Sequence, residues 1–201
     1  TQYQQQVIDL ALEIYNDWDT VYATGQSDGV ANPDGTYGFN APGFVKYVLN
    51  SVMQKHVPTY NLSVVLDTLY TTESVYNYGY DGELRVENIA LENIQPGDVL
   101  FFGSGSTVSY CGIYLGNGEF ISCLSSWEDG VNIMPLSDKY AQALISVRRY
   151  LPENVTPANA IRYVVGQYYN YNLYSERSAS SEIIGTLALY DKVTVIYTDS
   201  G

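Results

Sequence analysis

Histidine is almost missing from this chain: His56 is the only one, and just two cysteines, Cys111 and Cys123, accompany it. Two cysteines cannot build the disulfide framework of a small stapled scaffold, and their spacing to His56 is not that of a zinc site. No metal and no other cofactor is expected. Basic residues are scarce as well, with 9 Lys plus Arg against 22 Asp plus Glu and a net charge of -13 at pH 7. That charge repels phosphate backbones and anionic lipid, which are bound through basic patches, so nucleic acid and membrane surfaces are poor partners. No apolar run approaches the roughly 18 residues of a bilayer-spanning helix, and no pattern of charged, apolar and small residues opens the chain as a signal would.

What is present suits a folded protein. The 201 residues are 46% hydrophobic, enough to bury a core, and 21 tyrosines and 17 glycines stand out. Val7, Leu10, Ala11 and Ile14 recur at helical spacing and predict an amphipathic helix over 3–16. The glycine- and proline-bearing stretch 17–40 reads as loop. Pro42 then suits the first turn of a second helix, because Phe44, Val45, Val48, Leu49 and Val52 follow at the same period up to about Lys55. A short helix is expected over 61–72 and a turn-rich segment over 76–88.

From there the pattern changes to strands. The turn Gln95-Pro96-Gly97-Asp98 precedes the apolar run 99–102, and a hairpin follows, with strands over 108–115 and 119–123 joined through Gly116-Asn117-Gly118. A further strand is predicted over 145–150. Helices followed by an antiparallel sheet define an α+β class. The Pro- and Asn-bearing span 151–160 reads as a linker between a domain over 1–150 and a small all-β module over 161–201. Strands are expected there at 163–165, 183–189 and 192–197. So few residues are fewer than a small barrel normally takes, so the module is read as incomplete, with an exposed strand edge that some other surface must cover.

Three segments carry a resemblance. Residues 37–48, Tyr-Gly-Phe-Asn-Ala-Pro-Gly-Phe-Val-Lys-Tyr-Val, are similar to the Phe-Asp-Cys-Ser-Gly-Phe-Val-x-Tyr-Val that opens the nucleophile helix of the NlpC family. These papain-like peptidases cleave stem peptides of bacterial peptidoglycan. Gln95 to Phe102 resembles that family's Pro-Gly-Asp strand start. Tyr110 to Ser122 resembles its His-Val-Gly-Ile-Tyr-Leu-Gly-Asn-Gly-x-Phe-Ile-His. Three matches in family order cover most of 1–150. Beyond the linker, 171–187 and 191–196 resemble the bacterial SH3-type wall-binding module, better in the second half than in the first.

The resemblance implies a papain-like fold and also locates its own failure. In the family a cysteine at a helix N-terminus, its thiol pKa lowered there, pairs with a histidine across the sheet. Those positions hold Ala41 and Tyr110, and the third, orienting position holds Ser122. A methyl group cannot attack a carbonyl, and a phenol with an ordinary pKa near 10 is no general base at neutral pH. His56 lies 15 residues beyond Ala41 on the same predicted helix, roughly 22 Å away at 1.5 Å per residue, and cannot serve the site. Cys111 and Cys123 lack both a helix N-terminus and a nearby histidine.

With Tyr22 as the match to the family's oxyanion tyrosine, the old cleft is expected to be lined by Tyr22, Asn40, Tyr110 and Ser122. Such a lining can hold a peptide or glycan but cannot hydrolyse one, and a cleft filled by tyrosine and idle stays open beside that reading. The implied protein is a catalytically inactive cell-wall peptidase homologue, extracellular or wall-associated in a bacterium. Its partner would be peptidoglycan or a wall-associated protein. An active stem-peptide hydrolase with a rearranged site and a purely structural spacer stay open beside it.

The hairpin register decides which residues meet. A two-residue turn at Asn117-Gly118 would split Tyr110 from Ser122, whereas a three-residue loop sets Cys111 opposite Cys123 and groups Tyr110 with Ser122 on the other face. The family's chemistry needs the second arrangement. It is therefore expected, with the cysteines neighbours on the face away from the cleft and a disulfide between them left open.

Overall fold

The computed structural model describes residues 2–24, 28–55, 84–126, 130–152, 161–163, 170–174, 182–188 and 191–194. The chain divides into two compact units, Thr1–Pro157 and Ala158–Gly201. The helix expected over 61–72, His56, and the linker from residue 153 onward lie outside the described residues. Among the described residues no helix is long and apolar enough to cross a membrane.

The first unit is α+β. Its opening helix α1, Gln2–Asp17, buries Val7, Ile8, Ala11, Leu12 and Ile14, while Leu10, counted in the apolar stripe from spacing alone, is only partly covered. Between α1 and the next helix the expected loop is instead a small sheet. Strands β1 (Thr20–Tyr22), β2 (Asp28–Ala31) and β3 (Tyr37–Phe39) lie in the order β1-β3-β2, with β1 parallel and β2 antiparallel to β3. Strands of three and four residues are too short to show a period among so many turn residues. Their pairing is held by tertiary contacts: the half-buried Trp18 ring packs 4.4 Å from Tyr37 and 5.8 Å from Tyr47.

Helix α2, Ala41–Met53, begins as its sequence predicts. Asn40 Oδ1 accepts the Gly43 N–H at 2.8 Å, Pro42 occupies the first turn, and Phe44, Val45, Val48, Leu49 and Val52 are buried. The strands that follow are β4 (Leu84–Asn88), β5 (Val99–Ser104), β6 (Thr107–Gly116), β7 (Glu119–Cys123), β8 (Val131–Pro135) and, after the short helix α3 (Asp138–Ala143), β9 (Leu144–Pro152). They make one six-stranded antiparallel sheet in the order β4-β9-β5-β6-β7-β8. In β5, Val99, Leu100, Phe101 and Phe102 are all fully buried, so both faces of this inner strand are covered. Both α1 and α2 contact β6, and α3 contacts β5. β4 occupies part of the segment read as turns, whereas β8 and α3 were not anticipated.

At the hairpin tip Asn117 (φ 52°) and Gly118 (φ 74°) are both left-handed, as a two-residue type I′ turn requires, and Gly116 pairs with Glu119. The expected three-residue loop is thus absent. A bulge between Tyr114 and Gly116 leaves Leu115 unpaired and shifts the register by one, giving Tyr114 opposite Phe120 and Ile113 opposite Ile121. Continued two residues further, this register sets Cys111 level with Cys123. The body of the hairpin therefore has the expected alignment by a different turn.

The start of β5 is fastened by Asp98, which is fully buried. Its carboxylate takes two bonds from Arg149, Nε to Oδ1 at 2.6 Å and Nη2 to Oδ2 at 2.8 Å, plus the Gln95 N–H at 2.8 Å and Gln4 Nε2 at 3.3 Å. Gly97 (φ 91°) lets the chain turn into it, since a Cβ there would stand 2.9 Å from Gln4 Cα.

In the second unit β10 (Ile161–Tyr163) pairs antiparallel with β13 (Lys192–Thr194), and β11 (Asn170–Tyr174) with β12 (Ile183–Ala188), the former short ladder starting before the strand expected at 163–165. Ile183 and Ile184 are exposed.

Removing one partner of a buried, hydrogen-bonded ion pair leaves an uncompensated charge. Asp98→Ala is expected to cost about 3–5 kcal/mol of unfolding free energy, read from urea denaturation of the whole chain. A loss below about 1 kcal/mol would mean that Asp98 does not organise this corner.

Candidate functional site

The strands β6 and β7 run antiparallel, so the beginning of one and the end of the other share the end of the hairpin away from its turn. A cavity of about 540 Å³ opens there. Asn40, Ala41 and Pro42 reach it from the start of α2, Tyr22 from β1, and Ser109 and Tyr110 from β6. Cys123, Leu124, Ser125 and Ser126 reach it from the end of β7, and Lys139 and Tyr140 from α3.

Ala41 is 5% exposed, its methyl group set where the cap at Asn40 begins the helix. Tyr110 is aimed by a second bulge: Phe102 pairs with Tyr110 but Gly103 with Val108, so Ser109 has no opposite residue. The Tyr110 ring stacks on Phe102 at 4.8 Å and meets Tyr140 edge-on at 6.4 Å. Burial, and then the neighbouring Tyr140, push the Tyr110 phenol above its ordinary pKa of 10.0. It is therefore a hydrogen-bond donor at neutral pH and no base.

Ser122, expected in the cleft, is fully buried and is not among the residues lining the cavity; its Oγ donates to the Cys111 carbonyl at 2.7 Å. The hydroxyl is consumed in joining β7 to β6. Cys123 behaves in the opposite way. Expected on the face away from the cleft, it lines the cavity, because at a strand end side chains of both sheet faces border the opening. Its Sγ donates to the Phe39 carbonyl at 3.3 Å, and burial pushes its pKa from 9.0 up to about 12. Cys111 is buried too, and no disulfide joins the two.

The structure thus gathers Tyr22, Asn40, Ala41 and Tyr110 around one opening and leaves Ser122 behind it. Sequence reasoning missed Ser109, Cys123, Ser125, Ser126, Lys139 and Tyr140. The Ser125-Ser126 pair after a strand was a readable turn signal, whereas a six-residue α3 is too short for periodicity to reveal. Among the described residues the lining offers hydroxyls, one ammonium and one protonated thiol, with no imidazole or carboxylate. Among the described residues no group of three His, Cys, Asp or Glu side chains could hold a metal ion.

The chain belongs to the NlpC/P60 family, whose family model matches residues 20–149 and so includes Ala41, Tyr110 and Ser122. A curated relative, gamma-DL-glutamyl hydrolase of Bacillus subtilis (strain 168), is 30% identical over 122 residues, which cover 59% of this chain and 24% of that protein. The chain therefore spans about a quarter of the length of the relative it matches. Among solved structures, the P60 domain of an antigen of M. avium subspecies paratuberculosis is 19% identical with a TM-score of 0.47, over 73% of this chain and 96% of that one. An NlpC/P60 family protein from Bacillus cereus ATCC 10987 is 23% identical with a TM-score of 0.42, over 57% of this chain and 32% of that one.

A thiol held protonated by burial should not react. Thiol reagents at mildly alkaline pH are expected to label neither cysteine of the folded protein and both after denaturation; rapid native labelling of Cys123 would contradict its placement. The raised pKa also has a stability consequence. The unfolded chain ionises this thiol around pH 9 and the folded one only near 12, so its contribution is complete below pH 9 and lost between 9 and about 12. Cys123→Ala should flatten that part of the alkaline stability profile relative to the parent, measured by urea unfolding at stepped pH.

Proposed function

We propose that this chain is a non-hydrolytic NlpC/P60 domain whose cleft serves as a binding site for peptidoglycan or a wall-associated protein outside a bacterial cell. Ala41, Tyr110 and Ser122 stand at the nucleophile, base and orienting positions. The observation that carries this reading is the cavity itself, which keeps an open volume beside the start of α2 while presenting a methyl group there. The one thiol that reaches it is tied to the Phe39 carbonyl as a donor. Hydroxyls and aromatic rings in a concave site can bind peptide or glycan without transferring an acyl group. Tyr22, Asn40 and Tyr110 are the contacts proposed from the original set, with Ser122 as a support behind them.

The division into a first domain, a linker and a partial bacterial SH3-like module over 161–201 belongs to the same proposal, with the linker moved from the expected 151 to after Pro152, because residues 151 and 152 pair with β4 as the end of β9. The module would add a second wall contact. The rival reading, a hydrolase with a rearranged site, draws on family membership and on the relative named gamma-DL-glutamyl hydrolase. Among the described residues it lacks a base in the lining.

Incubated with purified peptidoglycan, the protein is expected to sediment with the wall and release no stem-peptide fragments detectable by mass spectrometry. Ala41→Cys alone should stay inactive, because Tyr110 cannot activate the thiol. Ala41→Cys with Tyr110→His is the sharper gain-of-function variant, since a histidine added at the fully buried Ser122 would overpack its site. Fragment release by the parent or the single variant at ordinary enzymatic rates would overturn the proposal.

A further inference from the structure

The cavity has an electrostatic character unlike that of the whole chain. The protein carries -13, yet among the described residues no carboxylate lines the opening, and the one charged side chain described there is Lys139. Arg149, one of the basic residues of the sheet, is committed to Asp98. Lys139 by contrast is exposed and makes no ion pair among the described residues.

Its position is not arbitrary. The Lys139 ammonium lies 4.8 Å from the centre of the Tyr140 ring, and Tyr140 is 8% exposed, wedged edge-on against Phe120 at 5.2 Å and Tyr110 at 6.4 Å. A ring fixed on two sides gives the flexible lysine a preferred resting place at the cavity rim. The start of α2 borders the same opening, and the positive end of its dipole adds partial charge of the same sign. Around these, Ser109, Ser125 and Ser126 offer hydroxyls.

We infer that Lys139 anchors a carboxylate of the ligand, so that the cavity prefers an acidic peptide over the same peptide with its carboxylates amidated. This rests on the reading of the cavity as a binding site and adds to it the charge of what binds. A carboxylate at the rim gains a charge-assisted hydrogen bond from the ammonium and hydroxyl donors, while its amide gains neither charge term. The ammonium stays partly solvated, so the expected preference is about three- to tenfold in Kd.

The test uses N-acetyl-γ-glutamyl-alanine and its diamide, probes alike in shape and different in charge, titrated calorimetrically into the full chain. The parent should bind the acid form about three- to tenfold more tightly, and the difference should shrink as salt is raised. Lys139→Gln, a change at an exposed position that leaves the fold intact, should bring the two probes level, whereas Lys139→Arg should keep the preference. Equal affinities in the parent, a preference unchanged in Lys139→Gln, or binding of neither probe would overturn the inference. Wall sedimentation without acid preference would remove the anchor and keep the wall-binding proposal; acid preference lost in Lys139→Gln without wall sedimentation would do the reverse.

Discussion

The buried carboxylate of Asp98 is the constraint on which the rest of the first unit depends. An ionised group removed from water must be met by charge and hydrogen bonds, and here these come from three separate parts of the chain: Arg149 in β9, Gln4 in α1 and the Gln95 turn. Replacing such a cluster by apolar groups could leave stability unchanged, so its main effect is specificity. It allows one alignment of β5 against β9 and one seat for α1. Asp98 also accepts the Tyr114 N–H through its carbonyl, which carries that alignment into β6 and so to Tyr110.

From that fixed corner the cavity follows. β5 sets β6, the bulge opposite Gly103 turns Ser109 and Tyr110 toward the opening, and α2 starts beside it because Asn40 caps the helix there. In the proposed reading, the groups at the nucleophile, base and orienting positions are a methyl, a phenol and a hydroxyl already bonded to the Cys111 carbonyl. A cleft lined in this way has hydrogen-bonding groups and aromatic rings with which the proposed ligand would be held. Catalysis would need groups whose charge changes at neutral pH, and the burial of Cys123 and Tyr110 moves both away from that range.

Both long helices, the β5 run, the hairpin strands and the α+β class were legible because period, proline at a helix start and turn glycines are local signals. The three short strands of 20–39, β8 and α3 were not, since none is long enough to show a period and some are tied in from afar, as where Thr20 Oγ1 accepts the Val131 N–H. The hairpin is the instructive case. Requiring Tyr110 and Ser122 on one face gave the right body register, but a bulge beyond a two-residue turn produced it, which spacing alone cannot distinguish from a longer loop. The cavity was half legible: Tyr22, Asn40, Ala41 and Tyr110 were named from motif positions, while Lys139 and Tyr140 sit on an element that left no pattern.

The central claim is that the cleft binds without cleaving, and nuclear magnetic resonance with a soluble peptidoglycan stem peptide tests both halves in one tube. The account predicts saturable amide shifts centred on Ala41, Ser109, Tyr110 and Ser125 while the peptide's own resonances stay those of the intact molecule. Shifts confined to residues away from this cavity, or conversion of the peptide to cleaved products, would contradict it.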